Sequence, residues 1–287
     1  MNASSRLMTI ALVALLLLSA ACAVHRSQLK SNALEFLYPE GRAAAAPADV
    51  QLELPVRVGI AFAPSNKTVR DTFSESQKQA LLTRIAEAFR EREGIASVEP
   101  IPSTFLQPEG GFDNVDRLVP AFGLDLIAIV SYDQFQFSES GRSSWAYWTL
   151  VGAYVVKGEK NQTRTMMNTV VYDIPSRAML FNASGRSSVS GKSLPVQIDK
   201  ALRERSEQGF EAATDDLIAN MNTALDAFQT QAATGTVRGP GTPAVAMVDA
   251  AGDPVQPAGG GAGALGPALA AAALLLATLS LRRSRRR

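Results

Sequence analysis

Histidine and cysteine are almost missing from this chain of 287 residues, which contains one of each, His25 and Cys22. Both lie near the N-terminus, so the rest of the sequence has no histidine for acid-base or triad chemistry. A single cysteine cannot form an internal disulfide, and zinc-type sites need several histidine or cysteine ligands. We therefore expect no catalytic residue, no cofactor and no metal.

An excess of positive charge is lacking as well. The chain has 28 basic and 27 acidic residues, and six of the basic ones, Arg6 and five near the C-terminus, lie in its terminal segments. The remaining sequence is net negative, with arginine and glutamate interspersed as on a solvated surface. Because nucleic-acid binding requires a basic stripe, no nucleic-acid partner is expected.

Two short patterns match functional motifs only in part. Residues 191–193 (GKS) end like a phosphate-binding loop, but Arg186 stands where that loop needs its first glycine. A turn before the last helix explains these residues. Glu211 and the pair at 215–216 suggest a cation site, but adjacent carboxylates on a helix point in different directions, so a solvated helix face is favoured.

The N-terminal segment has the layout of an export signal. Arg6 supplies a positive charge, residues 7–18 are apolar but too few to span a bilayer, and small residues at 19–21 precede Cys22. Small residues directly before a cysteine resemble the lipobox of bacterial lipoproteins. The resemblance implies that signal peptidase II removes residues 1–21 and that the lipoprotein machinery acylates Cys22, which gives the two-chain anchor that stable membrane attachment needs. An ordinary secretory signal is the alternative.

The C-terminal segment combines three features in a fixed order. A cluster of Gly259, Gly260 and Gly261 comes first, and an apolar run over residues 264–281 follows. This run has the length that a bilayer core requires. The positive-inside rule keeps in the cytoplasm the terminal arginines, which are Arg282, Arg283, Arg285, Arg286 and Arg287. Everything N-terminal to the run is therefore expected outside the cytoplasm.

Together the two ends resemble the rhombotail lipoproteins, a bacterial family with a GlyGly-CTERM sorting tail. The resemblance implies that residues 259–287 form a transmembrane sorting tail. It also implies cleavage near Gly259, Gly260 and Gly261 by rhombosortase, a rhomboid-like intramembrane serine protease. Glycine costs roughly 1 kcal/mol of helix stability relative to alanine, so the cluster is backbone that a membrane protease can unwind. A permanent C-terminal anchor is the alternative.

Between the ends, the sequence predicts one folded domain over residues 51–228. A lipidated tether is expected over residues 22–50, and a flexible linker rich in glycine, proline and alanine over residues 229–258. The linker is expected to be long enough to present the glycine cluster to a membrane enzyme while the domain stays folded.

The first half of the domain predicts the order βαβαβ. Ser74 and Gln77 form a capping box ahead of an apolar helical face, and a weaker helix over residues 114–122 contains Pro120. The three strands are expected over residues 55–62, 95–102 and 126–130.

The second half predicts an antiparallel meander and a long helix. Residues of β-branched and aromatic type are frequent over 145–157, 164–173 and 178–184. An amphipathic helix over residues 198–228 closes the domain. The expected fold class is α/β, a mixed β-sheet sandwich. The pattern looks like the periplasmic domains of small lipoproteins, including the curli-secretion lipoprotein and the activators of penicillin-binding proteins.

Three functions remain open. The first is a non-enzymatic lipoprotein of the outer membrane or cell surface, whose precursor lies in the inner membrane and which acts through an unknown protein partner. Trp145, Tyr147 and Trp148 are candidates for an aromatic partner surface if they are not core residues. The second is a structural envelope protein held permanently by both ends. The third is an envelope hydrolase that uses carboxylates alone.

Replacement of Cys22 by serine tests the acylation. Once the tail is removed, the Cys22→Ser protein should leave the membrane fraction, because no acyl chain remains to hold it. The measurement is membrane fractionation of cells that cleave the tail, with Ala23→Ser as the control. A Cys22→Ser protein that loses its tail and remains membrane-bound to the same extent as the control would contradict the lipid anchor.

Overall fold

A computed structural model of the chain describes residues 25–41, 50–65, 73–139, 159–193, 197–233 and 245–253. These residues belong to one compact unit, residues 1–255, and a second unit, 256–287, lies outside the described part. The described strands are β1 His25–Lys30, β2 Val50–Glu53, β3 Val56–Phe62, β4 Ile95–Pro100, β5 Leu126–Glu139, β6 Glu159–Asp173, β7 Met179–Ser193 and β8 Val245–Val248. The described α-helices are α1 Ala33–Leu37, α2 Glu75–Phe89, α3 Gly111–Phe122 and α4 Ile198–Ala233.

The main sheet is mixed, which confirms the expected α/β class. Its path is β4-β3-β5-β6-β7, and β1 is a sixth strand that pairs with β5. The strand β3 runs parallel to β4 and β5, whereas β5, β6 and β7 form an antiparallel meander. A separate pair of parallel strands consists of β2 and β8.

The strand β5 shares one edge between two partners. Its first part, residues 126–130, pairs with β3, and its second part, residues 133–138, pairs with β1 in the antiparallel direction. The other edge pairs with β6 over the full length of β5. The long strand therefore extends well beyond the βαβαβ half of the domain, and β1 covers the edge that β3 leaves free.

Helices cover both faces of the sheet near the start of β5. One face packs against α2 and α4, with Ala128, Val130 and Tyr132 of β5 in the core. The opposite face packs against α1 and α3, with Ile127 and Ile129 in a second core. This alternation follows from the period of two along a strand, and it explains why residues 126–130 are a continuous apolar run.

The local signals predicted from the sequence are present. Ser74 caps α2 with the complete capping box to Gln77. The helix α3 begins at Gly111, earlier than predicted, and the side chain of Asn114 accepts a hydrogen bond from the Gln107 amide in the preceding loop at 2.6 Å. It ends at Gly123, which adopts the left-handed conformation that favours glycine. The predicted strand over 145–157, with its aromatic side chains, lies outside the described residues.

Two segments that the sequence assigned to a tether and a linker contain regular structure. Part of the tether forms β1 and α1, and α1 buries Phe36 and Leu37 in the second core. Part of the linker continues α4 to Ala233, and β8 pairs with β2. The pairings of β1 and β8 join segments that are distant in sequence, so no local pattern announces them.

The helix α4 lies close to β7 at Gly185. A Cβ atom added there would lie 2.1 Å from the carbonyl oxygen of Ala213 and 2.4 Å from the amide nitrogen of Leu217. Both are backbone atoms of α4, so the helix itself would have to move. The close approach therefore requires glycine at this position.

We expect Gly185→Ala to destabilise the fold by about 1–3 kcal/mol or more, because overpacking forces the helix away from the sheet. Thermal denaturation of the purified protein measures the effect. Ser188→Ala is the matched control, since Ser188 is exposed on the same strand and surface substitutions usually change stability by about 0.5 kcal/mol or less. A Gly185→Ala protein as stable as the control would contradict the described contact.

Candidate functional site

The site residues predicted from the sequence all lie outside the described residues. These are the acylation site Cys22, the processing site at Gly259, Gly260 and Gly261, and the terminal arginines. The described residues nearest to these predicted sites are His25 in β1 and Asp253, shortly after β8.

The first and last described strands, β1 and β8, lie at opposite ends of β5. His25 pairs with Ser138, near the end of β5. At the other end, the carbonyl oxygen of Val248 in β8 accepts a hydrogen bond from the Leu54 amide at 2.9 Å, just ahead of β3. Since β3 pairs with the start of β5, the two positions are separated by the length of that strand, which is about 40 Å at a rise of about 3.3 Å per residue.

An ion pair joins β3 to the start of β5. The Arg57 guanidinium lies 3.0 Å from Oδ1 of Asp125, and the Arg57 amide donates to Oδ2 at 2.8 Å. Burial opposes the ionisation of Asp125, but the hydrogen bonds and positive charge of Arg57 outweigh it and hold the pKa of Asp125 below its ordinary value of 3.8. This pair lies on the surface and fixes the end of the sheet nearest to β8.

An apolar cavity of about 70 Å³ lies beside β8. Its walls come from β2, β3, β4, α2 and α4, and the side chains that reach it include Leu52, Val98, Phe89, Leu225 and Met247. The polar side chains at the cavity are Glu93 and Gln229, and Nε2 of Gln229 donates to the Glu93 carbonyl at 3.3 Å. Because its lining is almost entirely apolar, the cavity offers few hydrogen-bond partners to a polar ligand.

The strand β8 forms part of this wall. Val245 and Met247 are buried, whereas Ala246 between them is exposed. The pairing with β2 and the bond to Leu54 therefore hold β8 over the cavity by two kinds of contact, backbone hydrogen bonds and apolar side chains.

The interface between α4 and the far half of β5 is polar. The side chain of Gln134, which is fully buried, donates from Nε2 to Oγ1 of Thr165 at 2.8 Å and to the Ser206 carbonyl at 3.1 Å. Gln136 donates to the Leu202 carbonyl at 2.7 Å. These bonds attach the first half of α4 to the sheet where apolar residues are few.

Within the described part of the chain, several buried polar atoms in the same region have no hydrogen-bond partner. They are Oγ of Ser138, Oδ1 of Asn161, Oγ1 of Thr163 and Nη1 of Arg205. Ser138 pairs with Asn161, and Asn161 pairs with Gly191, against which the Arg205 guanidinium packs. Sequence reasoning missed this polar layer, because its members come from three strands and a helix that only the fold brings together.

The residues that match functional motifs only in part have structural roles. Residues 191–193 end β7 rather than forming a turn ahead of α4. Asp215 forms an ion pair with Arg84 at 2.5 Å, and Asp216 accepts from the Arg186 amide at 2.8 Å. Within the described part of the chain, no three histidine, cysteine, aspartate or glutamate side chains gather as metal ligands would. No helix among the described residues is long and apolar enough to cross a membrane.

No protein-family model and no curated protein matches the chain. Solved structures that match include a neuraminyllactose-binding hemagglutinin homologue from Helicobacter pylori, which is 11% identical, covers 64% of this chain and 94% of its own, and has a TM-score of 0.39. A PelC dodecamer from Paraburkholderia phytofirmans is 11% identical, covers 67% and 98%, and has a TM-score of 0.26. Lipoprotein GNA1162 from Neisseria meningitidis is 11% identical, covers 56% and 97%, and has a TM-score of 0.24. At these TM-scores the similarities carry no argument about function.

A charged residue on the buried side of β8 should release this strand. We expect Met247→Asp to expose the amide of Leu54 to hydrogen exchange, because an unpaired carboxylate is strongly disfavoured in an apolar cavity. The control is Ala246→Asp, which places the same charge one residue away on the exposed side. Hydrogen exchange followed by mass spectrometry makes the comparison, and equal protection of Leu54 in the two variants would contradict the described packing of β8.

Proposed function

We propose that the protein is a non-enzymatic envelope lipoprotein, acylated at Cys22 and processed near Gly259, Gly260 and Gly261 by a rhombosortase-type intramembrane protease. It acts through protein contacts at the outer membrane or cell surface, and its precursor resides in the inner membrane. The observation that carries the proposal is that the first described strand after Cys22, β1, and the last described strand before the glycine cluster, β8, lie at opposite ends of β5.

At the N-terminal end, two residues separate Cys22 from β1. The chain from Cys22 to His25 spans at most about 11 Å when fully extended. Acylation at Cys22 therefore holds the β1 end of the body directly at the bilayer surface. The small residue Ala23 after the cysteine, in place of the aspartate that retains lipoproteins in the inner membrane, favours the outer membrane.

At the C-terminal end, few residues separate the described chain from the predicted processing site. Gly259 is six residues beyond Asp253, so the connecting chain spans at most about 22 Å. This is much less than the 30-residue linker expected from the sequence would allow. Cleavage near the glycine cluster would separate the body from the tail.

In the precursor the chain is held at the membrane by the acyl anchor at Cys22 and by the tail. Removal of the tail leaves a body held by the acyl anchor alone, free to meet a partner. The permanently double-anchored protein is the alternative, and it would keep both attachments.

Leucine at positions 259, 260 and 261 should block processing. We expect the triple variant to remain full length in the inner membrane, because leucine stabilises the helix that the protease must unwind. The matched control replaces three glycines outside the tail, Gly235, Gly239 and Gly241, with leucine and should still be cut. The measurement is the C-terminal peptide of the mature protein by mass spectrometry.

Two outcomes separate the alternatives. A mature protein that ends near the glycine cluster supports removal of the tail. A mature protein from protease-competent cells that retains Leu281 or Arg282 supports the permanent anchor and contradicts processing. Neutral residues in place of Arg282, Arg283, Arg285, Arg286 and Arg287 should reduce cleavage for a separate reason, since they weaken the orientation of the span.

A further inference from the structure

One half of the sheet has a face that no described helix covers. Near the start of β5, the face that carries Ile127 and Ile129 packs under α1 and α3. Farther along β5, the same face carries Asp133, Phe135 and Phe137, which alternate with the side chains directed at α4. We call this region the open face. It consists of the outward side chains of β1, β5, β6 and β7 in the half of the sheet that contains β1.

The strand register arranges the open face in rows. In one row Lys30, Asp133, Met166 and Arg186 lie side by side across the four strands. In the next row Gln28, Phe135, Arg164 and Ser188 lie side by side. Neighbouring strands are about 4.8 Å apart, so each row spans roughly 15 Å.

The open face is basic although the body as a whole is net negative. Its described cations are Lys30, Arg164, Arg186 and Lys192, all of them exposed. Within the described part of the chain, none of these four forms an ion pair, and Asp133 is the acidic side chain among them. Oδ1 of Asp133 accepts a hydrogen bond from Nε2 of Gln28 at 2.8 Å. Nη2 of Arg164 donates to Oε1 of Gln162 at 3.5 Å. Because no described carboxylate pairs with these four cations, they can meet an external negative charge.

Two large apolar side chains lie among these cations. Phe135 is 49% exposed and Met166 is 38% exposed. Phe135 has Arg164 as its cross-strand neighbour, and Met166 has Arg186. A surface that mixes basic residues with exposed aromatic and apolar ones suits the headgroup region of a bilayer, where phosphates and buried hydrocarbon are both within reach.

The open face also lies beside the N-terminal attachment point. The strand β1 forms one side of it, and β1 begins three residues after Cys22. An acyl anchor at Cys22 would bring this part of the sheet to the membrane before any other. An acidic protein partner would have no such reason to meet the face that adjoins the anchor.

From this arrangement we propose that the open face binds an anionic bilayer. Lys30, Arg164, Arg186 and Lys192 contact lipid phosphates, and Phe135 and Met166 enter the headgroup layer. The proposal rests on the acylation of Cys22 for the position of the face, and on the charges of the face for its choice of lipid. The surface potential of anionic lipid attracts each basic residue near the bilayer and weakens with salt.

A reporter on the face tests the proposal in the acylated protein. Ser188→Cys introduces a thiol in the row of Phe135 without removing a cation or an apolar side chain, and it is labelled with an environment-sensitive dye. The labelled protein is reconstituted in vesicles of phosphatidylcholine with or without phosphatidylglycerol. Ala88→Cys is the control, because Ala88 is exposed on α2, which packs against the opposite face of the sheet.

We expect the Ser188 reporter to shift to an apolar signal in vesicles that contain phosphatidylglycerol, and to lose that shift at high salt. The Ala88 reporter should not respond. Neutralisation of each cation in turn, as in Lys30→Gln or Arg164→Gln, should lower the ratio of bound to unbound face by roughly fivefold. The same signal in both vesicle types, or a response only when an acidic protein is added, would overturn the proposal.

The parent protein separates this test from that of the proposed function. Cys22 is the only cysteine, so a parent whose Cys22 is acylated takes up no dye. A parent that takes up dye contradicts the acylation. The response at position 188, measured after subtraction of the parent signal, still supports or contradicts the binding of anionic lipid by the face.

Discussion

The length of β5 is the constraint on which the rest of the structure depends. One edge of this strand pairs first with β3 and then with β1, so a single strand joins the compact βαβαβ half to the start of the chain. This shared edge places His25 at one end of the sheet, whereas β8 lies at the other end, near β3 and the Arg57–Asp125 pair. The separation of β1 from β8 is a consequence of this pairing.

The interior beside β5 changes from apolar to polar along the length of the strand. Apolar residues fill the first half of the interface with α4, whereas Gln134, Thr163 and Thr165 occupy the second half. Buried polar groups are costly unless they are bonded, and bonded ones specify position. The bonds from Gln134 and Gln136 to carbonyls of α4 therefore set the register of the helix on the sheet, at the end where apolar contacts are too few to do so.

Much of the fold follows from local sequence signals, and the parts that do not are those built by distant pairing. The capping box at Ser74, the helix end at Gly123 and the apolar strand at 126–130 each depend on a few neighbouring residues, and each was predicted. By contrast, β1 is a polar hexapeptide and β8 is four residues in a stretch rich in glycine and proline. β1 is a strand because it pairs with β5, and β8 is a strand because it pairs with β2. The sequence did not predict the basic charge of the open face for a similar reason. Lys30, Arg164 and Lys192 are far apart in sequence, and only the strand register brings them to one face.

The separation of the two ends of the body is the most direct test of this account. Spin labels at Gln28→Cys on β1 and Ala250→Cys after β8, in the acylated protein, report it by pulsed electron resonance. Gln28 pairs with Phe135 and Val58 of β3 pairs with Leu126, nine positions earlier on β5, so the account predicts a label separation of about 30 Å or more. A separation below about 20 Å would place β1 and β8 on the same side of the body and contradict the arrangement.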